Sequence, residues 1–291
     1  MQKTNPLFAF VILHYNAMKE TLDCISSIKK HVHKVAYHIV VVDNASPNKT
    51  GNVLEDLFLT DSVVTILRCD ENLGFAKGNN KGIYYAKEKL DADFLIVLNN
   101  DTILEQDDFV QIIEQEWEKS HFAVLGPHVD TLTGVNQNPV PYAITTRKDI
   151  ARAKYFYYTE LIRSYLGVEK MWKDFKNFIK KCIAKDLQNS TADTRQEMVK
   201  LHGCCWVFSP AYFKVFRGLD DRTFMYLEED ILWNHILQAG LLSVYNPELK
   251  IFHAEDAATN SVHKTWRKKR IFFLEQHLKS LKVLESILQR T

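Results

Sequence analysis

Four short apolar runs in the first third of the chain constrain its fold most strongly. They are FAFVIL at 8–13, HIVVV at 38–42, VVTIL at 63–67 and FLIVL at 94–98. Each run is apolar on both faces, as in strands buried inside a parallel sheet, whereas half-exposed strands alternate apolar and polar residues. Segments with helical spacing lie between the runs. The sequence therefore predicts an α/β fold, with a mostly parallel central sheet flanked by helices.

The composition indicates a globular protein with a sizeable core. The chain has 291 residues, of which 46% are apolar, and a formal net charge of +1. A protein held to nucleic acid by phosphate contacts is usually more basic, so no nucleic-acid partner is expected. The apolar run after Pro6 is too short for a signal peptide, and no run reaches the ~18 apolar residues of a membrane span. The five cysteines form no CxxC pair, so we expect reduced thiols and a cytoplasmic protein.

Polar side chains follow the predicted strands, at the sheet edge where open α/β folds bind ligands. Asn99, Asn100 and Asp101 come directly after the FLIVL run. One carboxylate beside amide oxygens suits Mg²⁺ or Mn²⁺ better than Zn²⁺. The alternative interpretation is a strand that simply ends in polar turn residues. Further polar residues follow the two strands predicted at 8–13 and 38–42. They are Asn16, Asp43, Asn44 and Ser46.

Two further features of this half are compatible with a nucleotide ligand. Asp43 can accept a hydrogen bond from a base imide or a ribose hydroxyl, although an Asx turn is a good local alternative. Lys77 lies in the Gly-rich stretch 74–82, where it and the backbone amides could meet a phosphate. The same glycines could instead serve only close packing of a helix on the sheet. Neither a P-loop nor a GxGxxG fingerprint is present.

A second acidic focus lies later in the chain. Glu228, Glu229 and Asp230 begin a predicted helix. The helix dipole stabilises acidic side chains at this end, but three adjacent acids are more than capping of the helix needs. One of them could act as a general base. His253 ends a predicted strand beside Glu255 and Asp256, where a ligand role competes with a structural one.

The sequence leaves open what two predicted helical segments contact. Residues 148–188 are rich in Lys and aromatics, and could hold an acceptor, contact a membrane surface, mediate self-association or merely cover the sheet. The tail from His263 starts with the basic HKTWRKKR, which with Trp266 could contact an anionic membrane. It continues with an apolar stripe expected to pack on the domain or on a second subunit. The stripe comprises Ile271, Leu274, Leu278, Leu281, Leu284 and Leu288.

Several motifs in this order resemble family 2 of the glycosyltransferases, within it the bacterial rhamnosyltransferase-like branch that builds surface polysaccharides. The resemblance covers roughly 8–127 and 202–253. The motifs that carry it are VILHYN, IVVVDNAS, ENLGFAKGNN, FLIVLNNDT, HGCCWVFS, FMYLEEDILWNHILQAG and YNPELKIFH.

The resemblance implies one GT-A domain. Residues 1–127 would form its nucleotide-sugar-binding half and 128–260 its acceptor-binding half, which includes a helical insertion at 148–200. An amphipathic helix would follow at 261–291.

Residue roles also follow from the resemblance. Asp101 would bind a divalent cation (Mn²⁺ or Mg²⁺) on the donor diphosphate, with Asn99 nearby and His253 completing the site. Glu229 falls on the position of the catalytic base, with Asp230 as the alternative and Glu228 beside them. The donor, a UDP- or dTDP-sugar, would be contacted by residues of the first half. These are Asn16, Asp43, Asn44, Ser46, Lys77, Asn80, Asn99 and Asn100.

The expected activity is inverting transfer of a sugar to a hydroxyl of a saccharide, in synthesis of capsule, O-antigen or cell-wall polysaccharide. The acceptor could be lipid-linked, the protein could bind peripherally to the cell membrane, and it could be a homodimer. One alternative is a sugar-phosphate nucleotidyltransferase, which would need a Gly-rich loop where this chain has His14, Tyr15 and Asn16. Another is a non-catalytic carbohydrate- or partner-binding module.

Overall fold

The structure is a computed structural model that describes residues 6–167, 193–254 and 266–289. Strands and helices alternate strictly in its first part. These elements are β1 (Leu7–His14), α1 (Met18–His31), β2 (Ala36–Asp43), α2 (Thr50–Phe58), β3 (Val64–Arg68), α3 (Phe75–Glu88) and β4 (Phe94–Asn99).

The later part is less regular. Its elements are β5 (Thr102–Leu104), α4 (Phe109–Ser120), β6 (Val124–Thr131), α5 (Arg147–Leu166), β7 (Gln196–Glu197), β8 (Cys205–Phe208), α6 (Pro210–Phe213), α7 (Glu228–Gln238), β9 (Ser243–His253) and α8 (Trp266–Leu288).

The strands form one nine-stranded sheet in the order β3-β2-β1-β4-β8-β6-β9-β5, with β7 pairing to β9. The first four strands are mutually parallel, and β6 is parallel to β9. Strand β8 runs antiparallel to both β4 and β6, and β5 runs antiparallel to β9. The predicted α/β fold with a parallel central sheet is thus confirmed.

Apolar side chains of the central strands feed two cores, one on each face of the sheet. In β1, Phe8, Phe10 and Ile12 pack into one core, while Ala9 and Val11 pack into the other. All five are fully buried. Burial on both faces explains why β1 and β4 carry no polar residue until they end.

Helix α3 packs against the sheet with glycines at two of the contact positions. A Cβ at Gly78 would lie 2.6 Å from Leu13, and one at Gly82 would lie 2.5 Å from Val11. Contacts this short would push the helix away from the strands. The packing interpretation of the Gly-rich stretch is therefore confirmed at these two positions.

Two later strands extend beyond the apolar runs in the sequence. The run at 122–125 only overlaps the beginning of β6, and the separate runs at 242–245 and 250–252 belong to one strand, β9. The pairing of β6 with β9 shifts register between Pro127 and His128, where Lys250 follows Asn246 as partner. This irregularity contains Pro247, which has no N–H for the ladder, so the sequence looked interrupted there.

Helices α5 and α8 pack together and against α7 in a third apolar cluster. Its buried members include Ile150, Ile231, Leu278, Leu281 and Leu284. The apolar stripe of the tail therefore packs on the domain, as predicted. Residues 168–192 of the predicted helical segment, and the tail start at 263–265, lie outside the described residues. In the part of the chain that the structure describes, no helix combines the length and apolarity needed to cross a bilayer.

Candidate active site

A carboxylate and an imidazole meet at the end of β4. Asp101 lies in the turn between β4 and β5, and the antiparallel pairing of β5 with β9 places Thr102 opposite His253. As a result, Asp101 Oδ1 lies 3.2 Å from His253 Nε2. Both side chains are only 8% exposed. Residues separated by about half the chain are thus brought together by one short strand.

The ring of His253 is oriented by Gln137. The Nδ1–H of His253 donates to Gln137 Oε1 over 2.8 Å. An amide oxygen only accepts, so Nδ1 is the donor in this contact, and Nε2 is the ring nitrogen that faces Asp101. A carboxylate oxygen and an imidazole nitrogen this close together form a donor set that suits Mn²⁺ and other divalent ions. Gln137 would be the supporting contact that such a ligand needs.

The second acid, Glu229, lies in the first turn of α7. Its Oε1 accepts a 2.7 Å hydrogen bond from the backbone N–H of Gly203 and lies 3.7 Å from His202 Nε2. The N–H of Cys204 donates to His202 Nδ1 over 3.3 Å, so the proton of the neutral ring is on Nε2, facing Glu229. Glu229 and His202 are 30% and 27% exposed. A substrate can therefore reach them.

His202 links the two parts of the site. Its ring centroid lies 5.9 Å from that of His253. The possible ligand atoms of His202, Cys204 and His253 all lie within 4.8 Å of one another. Asp101, His253, His202 and Glu229 thus form one continuous group, which we term the acid–histidine cluster.

Sequence reasoning missed His202, Cys204 and Gln137 as members of this site. The available signal was His-Gly-Cys just before a strand. That strand, β8, is antiparallel to β4, so its beginning lies beside the end of β4, and Asn99 N–H donates to Cys204 O over 2.9 Å. The strand direction was not predictable from the motif. Gln137 lies in a segment whose Gly, Pro and Asn residues indicated only a loop.

The structure gives Asp230 a different place from Glu229. Its carboxylate accepts from the N–H of Ile144 over 2.8 Å and from Lys200 Nζ over 3.1 Å. Asp230 and Lys200 are 5% and 7% exposed. The expectation of Asp230 as alternative base is therefore corrected: it forms a buried ion pair, because the next residue along a helix points about 100° away.

Glu228 faces a third environment. Thr223 donates to its Oε1 over 3.3 Å, and it lines a cleft of about 400 Å³ together with Asp220, His235 and aromatic side chains. Burial raises the pKa of Glu228 to about 7. The cleft contains no member of the acid–histidine cluster, so the geometry favours Glu229 over Glu228 as the base.

The backbone before α7 is strained. Tyr226 and Leu227 have φ values of 73° and 68°, in the left-handed region that residues other than glycine rarely adopt. The ring of Tyr226 stacks on His277 of α8 with centroids 4.5 Å apart. Such strain persists only where surrounding packing enforces it, and it is concentrated at functional sites. Here it sets the direction in which the three acids enter the helix.

The expected donor-binding edge lies at the ends of β1 and β2. Asp43 is fully buried and accepts from Arg68 Nε over 2.8 Å and from Ser46 N–H over 3.1 Å. Ser46 Oγ in turn accepts from Asn16 N–H over 2.9 Å. The side-chain oxygen of Asn16 is one of three buried polar side-chain atoms, among the described residues, without a hydrogen-bond partner. Arg68, at the end of β3, was missed by sequence reasoning.

Three other residues expected to contact the donor form hydrogen bonds within the protein. The amide of Asn44 bonds Asn72, Leu73 and Gly74. Both ends of the Asn80 amide bond the backbone of Leu219, and Asn100 donates to Thr21 Oγ1 over 3.0 Å. These amides thus hold neighbouring loops in place, and their contact with a donor stays a prediction. Asn99 is half-buried beside Asp101, and Lys77 is exposed in the first turn of α3.

A comparison with protein families classifies the chain. The model of glycosyl transferase family 2 matches residues 9–216. The chain therefore belongs to glycosyl transferase family 2.

Two curated relatives are glycosyltransferases. Glycosyltransferase GlyG of Streptococcus pneumoniae is 25% identical over 120 residues, which is 41% of this chain and 38% of GlyG. The low-salt glycan biosynthesis hexosyltransferase Agl10 of Haloferax volcanii is 22% identical over 225 residues, 76% of this chain and 58% of Agl10. The chain thus spans less than two thirds of the length of either relative.

Solved structures show the same fold. S. aureus TarS 1-349 superimposes with a TM-score of 0.52 at 13% identity, covering 85% of this chain and 60% of TarS. GalNAc-T7 with UDP, GalNAc and Mn²⁺ gives a TM-score of 0.56 at 14% identity, covering 85% of this chain and 43% of that structure. TarS in complex with UDP gives 0.53 at 12% identity, covering 94% and 70%. The fold is GT-A.

Proposed function

We propose that this chain is an inverting, metal-dependent glycosyltransferase that moves a sugar from a nucleotide-diphosphate donor to a hydroxyl of a saccharide acceptor. The observation that carries this proposal is the acid–histidine cluster. Asp101 and His253 are in contact at one end of it, Glu229 lies at the other, and His202 lies between them. A cation site and a base within one group are what transfer from a diphosphate donor requires.

Asp101 and His253 would hold the cation. Their carboxylate and imidazole suit Mn²⁺, while Mg²⁺ more often takes oxygen ligands alone. When bound, the cation supplies Lewis-acid stabilisation of the charge on the leaving diphosphate. The Mn²⁺ and UDP in the GalNAc-T7 structure support this assignment. Gln137 keeps His253 Nε2 available by holding the proton on Nδ1.

Glu229 would act as the general base. Its contacts with Gly203 and His202 both fall on Oε1, which leaves Oε2, among the described contacts, to take the proton of the acceptor hydroxyl. The deprotonated oxygen attacks the anomeric carbon opposite the leaving group, which inverts the configuration. The diphosphate needs no protonating acid, so one carboxylate suffices where most glycoside hydrolases use two.

The donor is proposed to be a UDP- or dTDP-sugar. UDP is present in the TarS and GalNAc-T7 structures, and Agl10 is a hexosyltransferase. Asn16, with its unpartnered oxygen, and the Asp43–Arg68 pair are the proposed nucleoside contacts, and Lys77 is a proposed phosphate contact. The sequence resemblance favours rhamnose as the sugar. It also favours a role in the synthesis of capsule, O-antigen or cell-wall polysaccharide. The acceptor would be a saccharide, which can be lipid-linked.

The test is a nucleotide-release assay with a panel of nucleotide sugars, Mn²⁺ and saccharide acceptors. Glu229→Gln should lower the transfer rate by about 10²–10⁴-fold, because general-base catalysis contributes a factor of this size. Donor affinity, measured by calorimetry, should be unchanged. Glu248→Gln is the matched control, because Glu248 is an exposed acid outside the cluster. Asp101→Asn should abolish both Mn²⁺ binding and transfer.

Other outcomes would replace parts of the proposal. Unchanged transfer by Glu229→Gln would exclude Glu229 as the base, and unchanged Mn²⁺ binding by Asp101→Asn would exclude the cation site. Formation of a sugar nucleotide from a nucleoside triphosphate and a sugar phosphate would instead identify a nucleotidyltransferase. Carbohydrate binding without donor hydrolysis or transfer would identify a binding module.

A further inference from the structure

The outer side of α5 exposes a row of large apolar side chains, which we term the aromatic face. It consists of Tyr155, Tyr158, Ile162, Tyr165 and Leu166, which are 75%, 49%, 58%, 56% and 70% exposed. Their spacing of three and four residues places them along one side of the helix. A contiguous exposed apolar surface of this kind marks an interaction site rather than the scattered apolar residues of an ordinary surface.

The same part of the molecule is strongly basic. Helices α5 and α8 together carry eleven Lys or Arg and four Asp or Glu, a formal charge of +7, whereas the whole chain has +1. The remainder of the protein is therefore acidic by comparison. A partner of this surface must accept a concentrated positive charge.

The acids of these two helices are already engaged. Asp149 completes a capping box with Thr146, and Glu160 accepts from Arg163 over 2.6 Å and from Arg270. Lys154 Nζ lies 2.6 Å from a carboxylate oxygen of Glu285.

The fourth acid, Glu275, accepts from the hydroxyl of Tyr165 over 2.6 Å. Over Arg147–Leu166 and Trp266–Leu288, no exposed position carries a carboxylate. The exposed positions include the bases Lys148, Arg152 and Lys268. Apolar and cationic groups therefore dominate the outward surface.

We propose that the aromatic face and its surrounding bases dock this protein on an anionic lipid bilayer. Tyr and Trp rings favour the boundary between headgroups and hydrocarbon, and Trp266 is 55% exposed at the start of α8. Lys and Arg beside them attract anionic headgroups. A second copy of this chain fits less well, because a two-fold symmetric contact would bring one basic surface against another.

The docking surface is connected to the candidate site through packing. Leu278 of α8 packs in one cluster with Ile231 of α7, the residue directly after the three acids that begin α7. Ser280 of α8 also donates to Met225 O over 3.0 Å, just before the strained residues Tyr226 and Leu227. If the proposed transferase function holds, docking would present the site to an acceptor held at the membrane. The docking itself does not depend on that function.

The experiment is flotation of the full chain with vesicles. Binding is expected to phosphatidylcholine vesicles that contain phosphatidylglycerol, to weaken with added salt, and to be at background on phosphatidylcholine alone. The double variant Lys148→Glu/Arg152→Glu should lower the membrane partition coefficient by roughly fivefold or more for each residue changed. This factor follows because one basic residue near an anionic membrane surface contributes about 1 kcal/mol to binding. Tyr155→Ser/Tyr158→Ser should also weaken binding, since it removes the apolar contact.

The matched control is Lys89→Glu/Lys214→Glu, which changes two exposed lysines on other parts of the surface. It should bind vesicles like the unchanged protein, and thermal unfolding should show that all variants are folded. Equal loss of binding in this control would overturn the proposal, because it would show an effect of net charge alone. No binding to the anionic vesicles would overturn it too. So would dimerisation that Tyr155→Ser/Tyr158→Ser abolishes, since the face would then be occupied by a second copy.

Discussion

The loop after β2 and the first turn of α7 are both polar segments at the same sheet, yet their side chains are used differently. In the loop, Asp43 bonds Arg68 and Ser46, and Asn44 bonds the 72–74 turn. Most of this polarity is satisfied locally. Much of the loop therefore maintains its own shape. The candidate ligand contacts at this edge are Asn16, after β1, and the Asp43–Arg68 pair at the ends of β2 and β3.

The first turn of α7 distributes three consecutive acids among three surroundings. Glu228 faces the cleft beside Asp220, Glu229 faces the acid–histidine cluster, and Asp230 faces buried Lys200. Helix geometry requires this divergence. The comparison shows that adjacency in sequence does not give acids a common role, and that a half-exposed carboxylate supported by other elements is the stronger candidate for chemistry.

The largest effect that would sharpen this comparison is expected at Asp230. Asp230→Ala should lower the free energy of unfolding by about 3–5 kcal/mol, because it leaves the charge of Lys200 buried without a partner. Urea unfolding measures the change. Asp230→Ala/Lys200→Met should recover much of the loss. A change below about 1 kcal/mol for the single variant would show that the pair is not a buried ion pair.

Glu228 should reveal its environment through the pH dependence of stability. Burial raises its pKa in the folded protein to about 7 from 4.5. Between these values the folded protein keeps a proton that the unfolded chain has released, so the free energy of unfolding falls as pH rises through this window. Glu228→Gln should flatten this dependence and stabilise the protein at about pH 8 by about 1–3 kcal/mol.

Urea unfolding at about pH 5 and about pH 8 measures the effect, with Glu248→Gln as an exposed control of the same chemistry. A pH profile that Glu228→Gln leaves unchanged would mean that Glu228 titrates like a solvated acid. Among the three acids of α7, only Glu229 and Asp230 would then differ in their surroundings.

The smallest stability effect is expected in the loop after β2. Asp43→Asn should cost about 1 kcal/mol, because its partner Arg68 is a third exposed and can be solvated when the charge is lost. The same change should weaken nucleotide binding, measured by calorimetry with UDP. Unchanged affinity for UDP would show that this loop has only a structural role. Of the two regions compared, only the first turn of α7 would then contribute to a ligand site.

Some expectations about the candidate site could be reached from sequence. Asp101 and His253 were predicted at strand ends, and Glu229 at a helix start, and the structure brings them into one cluster. Strand ends and helix starts are readable because apolar periodicity stops abruptly there. What each polar residue contacts was not readable. Asn44, Asn80 and Asn100 are chemically suited to a ligand, but their amides also bond neighbouring backbone and side chains.

The sequence by itself determined the α/β architecture, since only strands buried on both faces tolerate uninterrupted apolar runs between helices of regular period. Tertiary structure alone decided the composition of the cluster. His202 joins it because β8 runs antiparallel to β4, and Gln137 joins because its loop lies against β9. Strand direction and loop placement depend on contacts between residues far apart in the chain, which local patterns do not encode.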